Sequence, residues 1–184
     1  MKRGAGQHQL TPQVCVFVFE GREHGPTVIL QAGIHGDEIA GVHALQELVS
    51  EPPVLQRGRL IVIPIMNPAA YRARARKAPG GLDLNRCFPG APNAVEPEKQ
   101  LAHRFLQLAK DEEPMVVATL HESRELYHQS KAIAFGQTLV YGVEHRDRVH
   151  GGVETVVCVG AGSGAGHRGN QSELPVLVPA GPGI

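Results

Sequence analysis

Apolar residues along the chain fall into short runs with two different periods. Val14 to Phe19 and Thr27 to Ala32 are β-branched and aromatic runs separated by the turn-forming stretch Glu20 to Pro26, so they predict two strands, with a hairpin as one arrangement. From Asp37 the spacing changes: Ile39, Val42, Leu45, Leu48 and Val49 recur at three- and four-residue steps, which predicts a helix of about three turns. Gly58 to Met66 is almost continuously apolar and reads as a core strand covered on both faces. Asn67 to Asn93 shows neither period and reads as a long loop, a feature that in compact domains tends to be functional. Pro97, followed by Leu101, Ala102, Phe105, Leu106 and Leu108, predicts a second amphipathic helix, and Met115 to Leu120 a second buried strand. This alternation predicts an α/β fold with a mixed, largely parallel sheet flanked by helices.

After Tyr141 the texture changes. Val153 to Val159 predicts one more strand, but Gly160 to Gly166 is glycine-rich and the chain closes on a Pro/Gly segment. The expected organisation is an α/β domain over residues 1–141, followed by an irregular segment over 142–184 that is weakly ordered or contributes an edge strand.

Composition narrows the partners. Eighteen basic and eighteen acidic residues give zero formal net charge, so no overall field favours nucleic acid or an anionic membrane. Aromatic content is 4% with no Trp, which argues against base-stacking platforms. No run approaches the roughly 18 apolar residues of a membrane span, and no apolar core follows Lys2 and Arg3. Cys15, Cys87 and Cys158 are odd in number and widely spaced, unlike a disulfide framework or a thiolate zinc site. A cytoplasmic protein, neither exported nor inserted, is expected; nothing in the sequence sets an oligomeric state.

Gly33-Ile34-His35-Gly36-Asp37-Glu38 and Leu120-His121-Glu122 carry the candidate chemistry. His35 and Glu38, three positions apart at a strand-to-helix corner, can present an imidazole and a carboxylate side by side. His121 stands at the end of a predicted core strand, on the sheet edge where ligands gather in open α/β folds. Two histidines and one carboxylate with a fourth position left open are a catalytic zinc set. HxxE alone is a common chance pattern, and a lone histidine is more often structural. Here both segments directly follow buried-looking strands. His8, His24, His43, His103, His128, His145, His150 and His167 have no partner at ligand spacing and are read as structural or solvent-facing.

Between the two segments, Asn85-Arg86 offers an amide beside a planar guanidinium fork and reads as an anion clamp. Arg72 and Arg74 read as solvated basic residues.

Four ordered motifs, GIHGDE, NPAAYRARAR, GLDLNRCFPG and TLHES, resemble the zinc carboxypeptidase superfamily and, within it, the succinylglutamate desuccinylase/aspartoacylase branch, over roughly residues 13–141. The resemblance implies a zinc-dependent hydrolase acting on the amide of an N-acyl amino acid or similar small carboxylate-bearing substrate through zinc-activated water. It implies His35, Glu38 and His121 as Zn2+ ligands, Arg76 as the residue that polarises the scissile carbonyl, and Asn85 and Arg86 as the grip on a substrate carboxylate. The family pattern also has a late-strand glutamate as general base and acid. Around Leu174 to Ala180 that slot holds Pro179 or Ala180, leaving Glu173 and Glu122 as candidates, and Thr119 replaces the usual Asp before the distal histidine. The chain also ends earlier than family members usually do. An alternative expectation is therefore a shortened member or pseudoenzyme that binds zinc without efficient turnover. A third, dinucleotide binding through Val156 to Gly162, lacks the room for a complete βαβ unit.

Overall fold

A computed structural model describes residues 4–123, 139–141 and 154–161. Its centre is a seven-stranded mixed sheet formed by β1 (Gly6–Thr11), β2 (Val14–Glu20), β3 (Glu23–Ala32), β4 (Arg57–Ile63), β5 (Val116–Ser123), β6 (Leu139–Tyr141) and β7 (Glu154–Ala161). The spatial order is β1-β2-β4-β3-β5-β7-β6. Strands β4, β3, β5 and β7 run parallel, and antiparallel β2 with β1, and β6, extend the two sides. Helices α1 (Ala40–Ser50) and α3 (Pro97–Glu112) cover the sheet, and a short helix α2 (Pro68–Ala73) follows β4.

Alternation explains how the sheet is covered. In β2 the even positions Val14, Val16 and Val18 are buried with Ile29, Ile61, Ile63 and Val117 under Ala102, Phe105 and Leu108 of α3. The odd positions Phe17 and Phe19 join Leu30, Leu60 and Val62 beneath Val42, Leu45 and Leu48 of α1. Side chains two apart share a face, so one apolar strand serves two cores on opposite sides. Burying each such Val, Ile or Leu stabilises the fold by about 1.5–3 kcal/mol.

Three sequence expectations change here. The first two predicted strands are not a hairpin: β4 lies between β2 and β3, pairing antiparallel with one and parallel with the other. The hairpin partner of β2 is instead β1, whose polar composition carried no strand signal. The stretch 67–93 is not wholly irregular, because it holds α2 and a single 3-10 turn at Leu84–Arg86. Asn67 starts α2 by accepting the Ala70 N–H on its side chain at 3.1 Å, with Pro68 next, an N-cap followed by proline at the first helical position. Strand β7 is internal among the described residues, paired to β5 from Val116↔Glu154 to Ser123↔Ala161, and β6 flanks it. Residues 162–184, with most of the glycine-rich run and Glu173, lie outside the described residues.

Strand order also positions the site. After β3 the chain passes through α1 to β4 on one side; after β4 it passes through α3 to β5 on the other. The carboxyl ends of β3 and β5 are therefore adjacent where the chain departs in opposite directions, the crevice in which open parallel sheets bind ligands.

Candidate metal centre

Loop 33–39 leaves β3 through Gly33 at φ +66°, a left-handed conformation that favours glycine. The loop is held from the β4 side: Met66 N–H donates to Ala32 O at 2.9 Å, Asn67 N–H to Gly33 O at 2.8 Å, and Gly36 N–H to Ala75 O at 3.0 Å. Gly36 is also pressed against the Ala70 carbonyl, where a Cβ has no room. The predicted helix onset at Asp37 moves to Ala40, leaving a turn at Gly36 and Asp37 and then Glu38 and Ile39 ahead of the helix. Ile39, counted in the apolar stripe from sequence, is 40% exposed for that reason.

The structure brings His35, Glu38 and His121 together. His35 Nδ1 hydrogen-bonds to Glu38 Oε1 and His121 Nδ1 to Oε2, each at 2.7 Å. One donor atom from each residue lies within 4.8 Å of the others, and the rings stand 5.0 Å apart between centroids. His121 belongs to β5, which continues three residues beyond the predicted Leu120. Burial pushes the Glu38 carboxyl up, but hydrogen bonds from His121 and His35, with their charges, outweigh it and hold it at about 2. Glu38 is thus ionised at neutral pH, as a metal ligand must be. Two imidazoles bracketing one ionised carboxylate fit a zinc ion as donor chemistry.

A fourth residue, with no role assigned from sequence, backs the cluster. Asp83 Oδ1 accepts from His35 Nε2 at 3.2 Å and from the Asn85 N–H at 3.0 Å. A carboxylate on the far nitrogen of a ligating histidine fixes its tautomer and ring orientation. Burial raises the Asp83 carboxyl, but the hydrogen bond and charge of Arg76, with the His35 charge and the Asn85 N–H, leave it below the usual carboxylate range. Its only sequence signal is that it stands two residues before Asn85.

The other predicted site residues are placed differently. Arg76 is half exposed, and its Nε and Nη2 both donate to Asp83 Oδ2 at 2.9 Å. Asn85 and Arg86 sit on the 3-10 turn; Arg86 is exposed, with Nη1 3.5 Å from the Asn85 carbonyl. Glu122, a candidate base from sequence, instead caps a helix: its Oε2 accepts the Ala40 N–H at 3.0 Å. Thr119 is buried and its hydroxyl accepts from Gln31 Nε2 at 2.8 Å, a bond across to β3. His43 and His103 lie in α1 and α3, outside the cluster. No helix among the described residues is long and apolar enough to cross a membrane.

Known proteins match the same region. Over 80 residues the chain is 45% identical to N-alpha-acetyl-L-2,4-diaminobutyric acid deacetylase of Halomonas elongata, covering 42% of this chain and 23% of that protein. It is 36% identical over 74 residues to succinylglutamate desuccinylase of Pseudomonas syringae pv. tomato, covering 39% and 21%. The chain therefore matches less than a quarter of the length of either relative. A crystal structure of succinylglutamate desuccinylase/aspartoacylase from Rhodobacter sphaeroides superimposes with a TM-score of 0.53 at 31% identity, covering 59% of this chain and 33% of that one. The family model of the succinylglutamate desuccinylase/aspartoacylase catalytic domain matches residues 24–135, more than half of the chain and inclusive of His35, Glu38 and His121, so this chain belongs to that family.

Proposed function

We propose that this chain carries the metal centre of a zinc-dependent hydrolase that cleaves the amide bond of an N-acyl amino acid or a similar small carboxylate-bearing molecule. The observation that carries the reading is the convergence of both Nδ1 atoms on the one ionised carboxylate of Glu38. His35, Glu38 and His121 would hold the ion, whose Lewis acidity lowers the pKa of water and polarises a carbonyl.

The remaining roles belong to the chain. Asp83 holds the His35 ring through Nε2, keeping Nδ1 turned toward the ligand set. Arg76 exchanges Asp83 for the substrate carbonyl oxygen and stabilises the charge that develops there. Asn85 and Arg86 bind the substrate carboxylate through amide and guanidinium donors. The printed activities of the two relatives, a deacetylase and a desuccinylase, support an acyl amino acid as substrate.

A second reading is zinc binding without efficient turnover. It is favoured by the engagement of Glu122 with the α1 N-terminus, which gives one oxygen of that carboxylate a structural task. One experiment separates the two: metal analysis of the purified protein coupled to a screen of N-acyl amino acids. The hydrolase reading expects bound zinc, hydrolysis that a chelator abolishes and zinc restores, a lowered kcat in Arg76→Ala and a raised KM in Arg86→Ala. Zinc without hydrolysis of any substrate selects the second reading. Protein purified without zinc and unable to take it up ends both.

A further inference from the structure

Helix α1 begins at Ala40, two residues after Glu38, and has no cap of its own. Ile39 has no side-chain acceptor, sits at φ −94° and ψ −20°, and no acidic residue occupies the first turn. The first backbone N–H groups of a helix need acceptors from elsewhere. Glu122 Oε2 supplies one at 3.0 Å to Ala40 N–H, from the end of β5 and 82 positions away. A negative charge there also complements the helix dipole. In the opposite direction, the Glu122 N–H donates to Glu38 Oε2 at 3.2 Å, the same oxygen that faces His121 Nδ1.

The neighbouring packing matches. Gly41 sits over Leu120, where a Cβ would stand 2.7 Å from the Leu120 Cβ. Three successive residues of β5 therefore face the Glu38 segment: Leu120 packs under α1, His121 meets the Glu38 carboxylate, and Glu122 hydrogen-bonds on both sides of Ile39.

We propose that Glu122 is a positioning residue of the metal site: it ties the start of α1 to the end of β5, so that Glu38 and His121 are held face to face before an ion binds. The proposal rests on the zinc reading above and assigns Glu122 a role other than acid–base catalysis. Without the tie, the turn bearing Glu38 keeps the Glu122 N–H bond and the packing of Gly41 on Leu120 but loses the side-chain link between α1 and β5. The cost of ordering it then falls on ion binding. Supporting groups around metal ligands change affinity by about 10- to 100-fold when removed.

The test uses Glu122→Ala and Glu122→Gln in the full chain, with Glu122→Thr, a strand-compatible side chain too short to reach Ala40, if the alanine variant does not fold. Zinc affinity is measured by competition with a chromophoric chelator, and exchange of the Ala40 amide is followed in metal-free protein. Glu122→Ala is expected to weaken zinc about 10- to 100-fold and to speed Ala40 exchange. Glu122→Gln, which keeps an acceptor oxygen, is expected to stay near the unmodified protein in both readouts and in turnover. Unchanged zinc affinity in folded Glu122→Ala overturns the proposal, as does a Glu122→Gln protein that keeps zinc but loses turnover, the signature of a general base. Absence of zinc from the unmodified protein overturns the hydrolase reading and this one together; equal affinity of parent and variant overturns this one alone.

Discussion

Two clusters of charge lie at opposite edges of the same sheet, and they differ in what their groups still have to satisfy. At the amino-terminal end of β4, Arg59 Nη1 meets Glu112 of α3 at 2.6 Å and its Nε lies 3.4 Å from Glu20 of β2, with Glu112 fully buried. There a cation and carboxylates neutralise one another, and the result is a strut between helix and sheet. At the carboxyl ends of β3 and β5, two imidazoles address one carboxylate, and a second carboxylate backs one of the rings. Among the described residues the carboxylate of Glu38 meets the two imidazoles and the Glu122 N–H, with no Lys or Arg in that set. Burial of charge alone marks neither function nor scaffold; the chemistry of the partners does.

The comparison breaks most visibly through the ligands. Removing the imidazole in His121→Ala is expected to abolish zinc retention through dialysis, by more than about 100-fold in affinity given that supporting groups alone are worth up to that much. Elemental analysis reads it out, and stoichiometric zinc in the folded variant would contradict the assignment. The strut responds otherwise. Glu112→Ala removes the buried carboxylate that Arg59 Nη1 meets and is expected to cost up to about 3–5 kcal/mol of stability in urea unfolding, with zinc stoichiometry unchanged in the folded fraction. A loss of zinc in that fraction would mean that the two edges are coupled.

Acid sharpens the contrast further. Glu38 is held at about 2 against an ordinary 4.5, so its folded-state value is depressed. A group shifted in that direction contributes stability above its unfolded value that disappears as pH falls from 4.5 toward 2. For metal-free protein the contribution is on the order of 3 kcal/mol, and Glu38→Gln is expected to flatten that part of the stability profile. A variant that loses stability over the same interval as steeply as the parent would show that Glu38 is not the group responsible.

Much of the fold could be read from local pattern. The helical spacing of Val42, Leu45 and Leu48, the proline-led onset of α3 and the continuous apolar run of β4 are each encoded by neighbours in the chain. The same holds for His35 and Glu38, whose three-residue spacing fits them for one corner. The polar strand β1 gave no such signal, and neither did α2, a helix too short to establish a period.

By itself, then, the sequence determined most of the strands and both long helices, that the middle of the sheet is parallel, and which three side chains are candidates to hold a metal. Only the tertiary structure decided that β4 enters between β2 and β3, that Asp83 backs His35 across 48 positions, and that Glu122 caps α1 instead of remaining available as a base. The physical reason is range. Periodicity and turn chemistry act between residues a few positions apart and leave a local trace, whereas a carboxylate's partner across the sheet is set by strand order and register, for which its own neighbours in sequence carry no mark.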